Sequence, residues 1–89
     1  MAWTIEWATS VQKSMKKVDH VERKKIREYL EQKVAVLADP RQLGKPLLGN
    51  MAKFWRYRVG SYHIIASIEE KEVKILVVRV GHRKEVYRN

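Results

Sequence analysis

The sequence predicts an α+β fold of order β-α-α-β-β-β, with two helices packed on one face of a four-stranded antiparallel sheet. Three observations predict it: an alternating apolar segment opens the chain, two segments of helical periodicity follow, and the second half is rich in β-branched and aromatic residues. With 89 residues, of which 45% are hydrophobic and 33% charged, the chain has room for one hydrophobic core. Residues 1–89 are therefore expected to form a single domain.

The first strand and the first helix are short. Trp3, Ile5 and Trp7 alternate with polar residues, which predicts a half-buried strand. The next apolar residues recur at the i, i+4, i+7 spacing of one helix face: Val11, Met15 and Val18. Thr9 or Ser10 can cap the N-terminus of this helix.

A second, longer helix is predicted to begin after Asp19 and to end at Asp39-Pro40. Asp19 and Glu22 have the spacing of a capping box, with Asp in place of the usual Ser or Thr. Pro40 disfavours helical geometry in the residue before it. The apolar face of this helix consists of Ile26, Tyr29, Leu30, Val34 and Leu37. We interpret its charged face as solvated.

Residues 41–53 are predicted to form a loop, because they contain Gly44, Pro46 and Gly49 and lack sustained periodicity. The rest of the chain predicts a β-meander with strands over residues 54–59, 62–68 and 73–80. Only Gly60 and Ser61 separate the first two strands, and Gly at the first turn position predicts a type II′ hairpin.

This hairpin fixes which residues lie opposite one another. The predicted pairs are Val59 with Tyr62, Arg58 with His63, Tyr57 with Ile64, and Arg56 with Ile65. Arg56, Arg58 and His63 then share one face, which is expected to stay open. The other face is expected to pack on the helices, and it carries Trp55, Tyr57, Val59, Tyr62, Ile64 and Ala66.

The net charge of +9 is concentrated in the second half of the chain. Residues 1–40 hold eight Lys or Arg against six Asp or Glu, whereas residues 41–89 hold eleven against four. A positive field suits nucleic-acid phosphate, an anionic membrane surface or an acidic protein, and charge alone does not choose among them. The absence of Cys, of a signal-peptide pattern and of a run of 18 apolar residues leads us to expect a cytoplasmic protein.

Basic and aromatic side chains interleave over residues 54–63, a combination that permits phosphate contact and guanidinium stacking on bases. A further basic group, His82, Arg83 and Lys84, follows the last predicted strand, and Tyr87 lies close behind it. Both groups are expected at one end of the sheet, where they would grip RNA. The additional residues predicted to contact RNA are Lys45, Lys53 and Arg79.

No metal or other cofactor is expected. His20, His63 and His82 are far apart in the sequence, and no acidic cluster of ligand spacing lies near them. RNA can be cut without a metal when its own 2′-hydroxyl attacks the neighbouring phosphorus. The protein then has only to move protons and to stabilise the charge of the phosphorane.

The predicted order of elements, together with WRYRVGSYHI at 55–64 and VGHRKEVY at 80–87, resembles the RelE/ParE superfamily of bacterial toxins and, within it, the RelE branch. The resemblance extends over nearly the whole chain and is most specific in the second segment. It implies a toxin of a type II toxin-antitoxin system that cleaves messenger RNA in the ribosomal A site and is held inactive by a cognate antitoxin. It also implies that Arg56, Arg58 and Arg83 act on the phosphate and that Tyr87 stacks on the cut nucleotide.

Two positions depart from the family pattern. Arg58 stands where the best-studied RelE type has a Lys that is a candidate general base, and Arg stays protonated. His63 stands where the family usually has Arg. We hypothesise that the neutral imidazole of His63 takes the proton, with Tyr87 and His82 as alternatives.

These departures leave non-catalytic alternatives open. The chain could be a ParE-like poison of DNA gyrase, a toxin relative that only binds its antitoxin, or a basic RNA-binding module. Arg83 and Tyr87 favour the nuclease, because the ParE type lacks this set.

Overall fold

The computed structural model describes residues 2–47 and 53–82. The elements in chain order are β1 (Thr4–Trp7), α1 (Thr9–Met15), α2 (His20–Glu28), a π-helical segment that directly continues α2 (Tyr29–Val34), a 3-10 turn (Pro40–Leu43), β2 (Lys45–Pro46), β3 (Phe54–Val59), β4 (Tyr62–Glu69), a second 3-10 turn (Glu70–Glu72) and β5 (Lys74–His82). None of the helices in these two ranges is long and apolar enough to cross a membrane.

The sheet has five strands in the order β1-β5-β4-β3-β2 and is mixed. β1 runs parallel to β5, and the other neighbouring pairs are antiparallel. The prediction of four antiparallel strands was therefore wrong in two respects. Periodicity shows which face of a strand is buried, but it carries no information on the direction of the neighbouring strand. The fifth strand, β2, has only two residues and lies in the segment predicted as a loop, where periodicity has nothing to detect.

Both helices are present, but their ends differ from the prediction. Ala8, and neither Thr9 nor Ser10, is the N-cap of α1, and no side chain caps this helix. The predicted Asp19 cap is confirmed, since its carboxylate accepts a hydrogen bond of 3.1 Å from the backbone N–H of Val21.

The helical segment ends at Val34, well before Asp39-Pro40. The N–H of Ala35 reaches back five residues to the carbonyl of Leu30, which widens the last turn. The carbonyl of Ala35 accepts instead from the N–H of Trp3 at 2.7 Å. The residue that precedes β1 thus uses an acceptor that a continuing helix would need.

The hairpin between β3 and β4 has the predicted register, from Val59 opposite Tyr62 to Arg56 opposite Ile65. Gly60 has a φ of +58°, whereas Ser61 is not among the described residues of positive φ, which is the pattern of a type II′ turn. The predicted core face is also confirmed. Tyr57, Ile64 and Ala66 are fully buried, and Trp55, Val59 and Tyr62 pack partly buried against the same core.

A bulge in β5 lets this long strand keep its apolar side chains in the core. Ile65 lies opposite Arg79 and Ala66 lies opposite Val77, so Val78 is an extra residue in the ladder. Val77 and Val80 are three residues apart, yet both are buried. The same irregularity leaves Arg79 exposed on the face away from the helices.

Candidate nucleic-acid interface

The face of the sheet away from the helices carries two rows of basic side chains that run across the strands. In the first row the register sets Lys45 opposite Arg56, Arg56 opposite Ile65, and Ile65 opposite Arg79. In the second row Arg58 lies opposite His63, which lies opposite Gly81. Neighbouring strands are about 4.8 Å apart, so the first row extends over roughly 14 Å.

Four of these side chains line one hollow, which we call the basic hollow. Its volume is about 180 Å³, and it is lined by Leu43, Lys45, Arg56, Arg58 and His63. No Asp or Glu side chain of the described ranges is among its lining residues. The hollow is therefore a concave, positively charged surface that suits an anion such as phosphate.

The side chains in the hollow differ in exposure. Arg58 is exposed and its Nε lies 3.5 Å from the carbonyl oxygen of Gly60, whereas Arg56 is half-buried. His63 is only 8% exposed, and Ile65 and Ser67 on the same strand are also buried. The prediction of a uniformly open face was therefore wrong for β4. This strand lies between β3 and β5, whose long Arg side chains flank it.

A buried contact holds β2 beside β3 and so places Lys45 in the hollow. The hydroxyl of Tyr57 donates a hydrogen bond of 2.7 Å to the carbonyl of Pro40, and both residues are fully buried. Burial raises the pKa of Tyr57, which keeps this hydroxyl protonated and able to donate. Gly44 packs against the same ring, where a Cβ would lie 3.0 Å from two of its carbon atoms.

Arg41 is a second anchor for this segment, although its role was not predicted from the sequence. Its guanidinium pairs with Asp39 at 3.0 Å and with Glu70, and it lies 5.9 Å from the centroid of the Trp55 ring. The backbone N–H of Arg41 also holds the pKa of Asp39 below its ordinary value. Asp followed by Pro and Arg signals a turn of this kind, but no sequence pattern indicates its pairing with Glu70, which is distant in the chain.

Comparison with known proteins identifies the family of this chain. The family described as the ParE toxin of type II toxin-antitoxin systems (parDE) matches residues 5–87. The chain belongs to the RelE/ParE toxin superfamily. Toxin RelG of Mycobacterium tuberculosis is 32% identical over 50 residues, which are 56% of this chain and 58% of that protein, so the chain matches little more than half of the relative's length.

Solved structures of RelE toxins share the fold of this toxin. The toxin-antitoxin complex RelBE2 from Mycobacterium tuberculosis matches with a TM-score of 0.84 and 21% identity, over 96% of this chain and 95% of the other. The isolated E. coli RelE toxin matches with a TM-score of 0.73 and 19% identity, over 97% of this chain and 92% of the other. At such identities the likeness concerns the fold.

The structure brings together five of the residues predicted to act on RNA. Lys45, Arg56, Arg58 and His63 line the basic hollow, and Arg79 lies in the same row as Arg56. Arg83, Lys84 and Tyr87 lie outside the described residues.

Two other predicted contacts of the toxin lie elsewhere. Lys53 precedes β3, with its Nζ 5.4 Å from the centroid of the Phe54 ring, and does not line the hollow. His82 lies at the predicted end of the sheet, opposite Tyr62, but on the helix-facing side. The two rings meet edge to face at 5.8 Å, in a cleft that Ser14 and Lys17 of the helical side also line.

A metal site is not formed by the described part of the toxin. Over residues 2–47 and 53–82, no group of three or more His, Asp or Glu side chains is placed to hold a metal ion. His20 is the exposed first residue of α2 and belongs to no such group among the described residues.

Proposed function

We propose that this toxin is an endoribonuclease that cleaves messenger RNA in the ribosomal A site and so inhibits translation. The observation that carries the proposal is the basic hollow, in which two Arg, one Lys and one nearly buried His converge without a carboxylate among the lining residues. Such a set can neutralise a phosphodiester and move a proton from the same small area. The coarser identity, a toxin of a type II toxin-antitoxin system, rests on the family match.

In the proposed reaction the RNA supplies its own nucleophile. The 2′-oxygen attacks the adjacent phosphorus, the bond from phosphorus to the 5′-oxygen breaks, and a 2′,3′-cyclic phosphate and a 5′-hydroxyl are formed. One proton leaves the 2′-hydroxyl and one is delivered to the 5′-oxygen. The reaction needs no metal, because cationic side chains stabilise the charge of the phosphorane.

His63 is the proposed acceptor of the 2′-proton. Its cross-strand neighbour is Arg58. A guanidinium group donates hydrogen bonds and offers no acceptor for a proton, whereas a neutral imidazole does. Arg56 and Arg58 are the proposed ligands of the phosphorane oxygens. Removal of one preorganised donor of this kind typically costs about 3 kcal/mol, or more than 100-fold in rate.

Two residues outside the described ranges complete the proposed site. Arg83 is assigned to the phosphate or to protonation of the leaving 5′-oxygen, and Tyr87 to stacking on the cut nucleotide. The partners of the toxin are then a cognate antitoxin, the ribosome and messenger RNA. The antitoxin partnership is supported by a structural neighbour of the same fold that was solved as a toxin-antitoxin complex.

The test is expression of the chain in bacteria with mapping of message 5′ ends. The proposal expects cuts within translated codons, loss of these cuts in Arg56→Ala and Arg83→Ala, and a large loss in His63→Gln. Cleavage by His63→Gln at the wild-type rate would remove His63 from the mechanism, while intact messages during growth arrest would overturn the nuclease itself.

A second candidate function is poisoning of DNA gyrase, because the matching family is described as the ParE toxin. The same expression experiment separates the two functions. Double-strand breaks in chromosomal DNA with intact messages indicate the gyrase poison, and the absence of both effects indicates a toxin relative that only binds its antitoxin or RNA.

A further inference from the structure

The basic hollow has one wall without charge, and the proposed cleavage reaction does not use it. This wall is Leu43, the last residue of the 3-10 turn that precedes β2. Its side chain is 44% exposed. The other exposed large apolar side chains of the described ranges are Val21 and Val36, and neither lines the hollow. A simple anion gains nothing from an apolar wall, so the hollow suits a ligand with an apolar part beside its charge.

The backbone around Leu43 is held in place. Hydrogen bonds of 3.1 Å close the turn on both sides of it, donated by the N–H of Gln42 and by the N–H of Gly44. The buried bond from Tyr57 to the carbonyl of Pro40 ties the same turn to the core. Leu43 therefore presents an apolar surface that needs no ordering of a loop when a ligand binds.

The register of the sheet places Leu43 beside Arg58. Lys45 pairs with Arg56 in an antiparallel ladder, so the residue two before Lys45 lies level with the residue two after Arg56. Arg58 in turn lies opposite His63. The row across the hollow is thus Leu43, Arg58 and His63, with about 4.8 Å between neighbouring chains. All three side chains line the hollow.

This row has its cation in the centre, which matches a phosphodiester. A phosphodiester has a nucleoside on each side of its charge, whereas the carboxylate of a peptide ends the side chain that carries it. One nucleoside then lies toward His63 and the other toward Leu43. Proteins contact or separate nucleobases with apolar side chains, Leu among them. The row therefore favours RNA over an acidic polypeptide.

The proposed role of His63 sets the direction of the RNA strand in this row. In a displacement at phosphorus the attacking and the leaving oxygens lie on opposite sides of the phosphorus. His63 is the proposed acceptor of the 2′-proton, so the attacking ribose lies on its side of Arg58. The leaving 5′-oxygen, which belongs to the nucleotide downstream of the cut, then lies on the side of Leu43.

We propose that Leu43 packs against the base of the nucleotide downstream of the cut, while Arg58 holds the phosphate between this nucleotide and the one upstream. Holding this base orients the leaving 5′-oxygen for the displacement. The direction of the strand rests on the proposed function, whereas the contact itself requires only that the hollow binds RNA.

Three dinucleotides with one phosphate each serve as probes for the test. They are deoxyadenylyl-deoxyadenosine and its two forms that lack the upstream or the downstream base. None has a 2′-hydroxyl, so the proposed reaction cannot cut them. The toxin with ¹³C-labelled leucine methyl groups is titrated with each probe by NMR, and Leu43→Ala identifies the Leu43 signals. These signals should shift with the intact probe and with the probe that lacks the upstream base, and stay in place when the downstream base is missing.

Affinities of the variants are read from the backbone amide signals of Arg58 and His63. Leu43→Ala should weaken binding of the intact dinucleotide about fivefold, as expected for the loss of one or two buried CH₂ groups. Its affinity for the probe without the downstream base should equal that of the wild type, because a general disturbance of the hollow would weaken every probe. Leu43→Phe should restore the lost affinity, since an aromatic ring also packs on a base. The matched control is Val36→Ala, at an exposed apolar position outside the hollow, which should bind all probes like the wild type.

Four results would overturn the proposal. They are no shift of the Leu43 signals with any dinucleotide, an equal loss for all three probes in Leu43→Ala, shifts that depend on the upstream base alone, and a response to acetyl-leucyl-glutamate that the dinucleotides do not give. Message cleavage is mapped separately in the same variants. If the wild-type protein cuts no message but binds the downstream base as expected, the proposed nuclease fails and the contact at Leu43 stands.

Discussion

The hydrogen bond from Tyr57 to Pro40 makes a prediction that links stability to the candidate site. Tyr57→Phe keeps the buried ring but leaves the carbonyl of Pro40 without this donor in the core. A lost neutral hydrogen bond costs about 1 kcal/mol, and a buried group left unsatisfied costs up to about 3 kcal/mol. For a domain of this size each kcal/mol lowers the melting temperature by about 4–8 °C, so we expect a decrease of at least about 4 °C.

The assay is thermal unfolding followed by circular dichroism, with Tyr62→Phe as the control because that ring lies at the rim of the core. The segment that Tyr57 anchors leads directly into β2, so the proposed contact of Lys45 with RNA should also weaken in Tyr57→Phe. A melting temperature within about 2 °C of the wild type would refute the stabilising role of this bond. Unchanged RNA affinity together with a lower melting temperature would refute only the link to Lys45.

Three further predictions concern stability. Burial raises the pKa of Tyr57 above its ordinary value near 10, so the contribution of Tyr57 to the free energy of unfolding should be constant below about pH 10 and fall above it, because only the unfolded chain loses the proton there; urea unfolding of the wild type and of Tyr57→Phe at about pH 9 and pH 11 checks this, and the part of the fall due to Tyr57 should be absent in Tyr57→Phe. Gly44→Ala should lower the melting temperature, since its Cβ would lie 3.0 Å from the Tyr57 ring; an unchanged value would mean that the ring yields freely. Val73 has a φ of +51°, which is costly for a β-branched residue, so Val73→Asn should raise the free energy of unfolding by about 1 kcal/mol; no gain in a urea titration would contradict this strain.

The hairpin of β3 and β4 could be predicted from the sequence to the level of individual residue pairs. Gly60 and Ser61 define the turn, a two-residue turn fixes the register, and the alternation of the strands fixes the faces. Arg58 opposite His63 therefore followed from local rules alone. The core residues of the helices followed from periodicity in the same way, and Ile26, Leu30 and Val34 are fully buried.

The placement of the other residues of the candidate site could not be predicted, because it depends on contacts between distant parts of the chain. Lys45 reaches the basic hollow through β2, which is held by Tyr57 and Gly44 and has no periodicity of its own. His82 was expected with the other basic residues, but the bulge at Val78 shifts the alternation of β5 and turns it to the helix-facing side. A bulge is a property of the paired ladder and has no reliable signal in a single strand.

The sequence by itself determined the class of fold, the antiparallel hairpin and the basic face of β3, because these depend on turn geometry and side-chain alternation over a few residues. Tertiary structure alone decided that β1 runs parallel to β5 and that a fifth strand, β2, pairs Lys45 with Arg56. It also decided that Trp7, Met15 and Arg23 line one groove. The physical reason is the same in each case. These arrangements are stabilised by packing and hydrogen bonds between segments far apart in the chain, which local propensity does not encode.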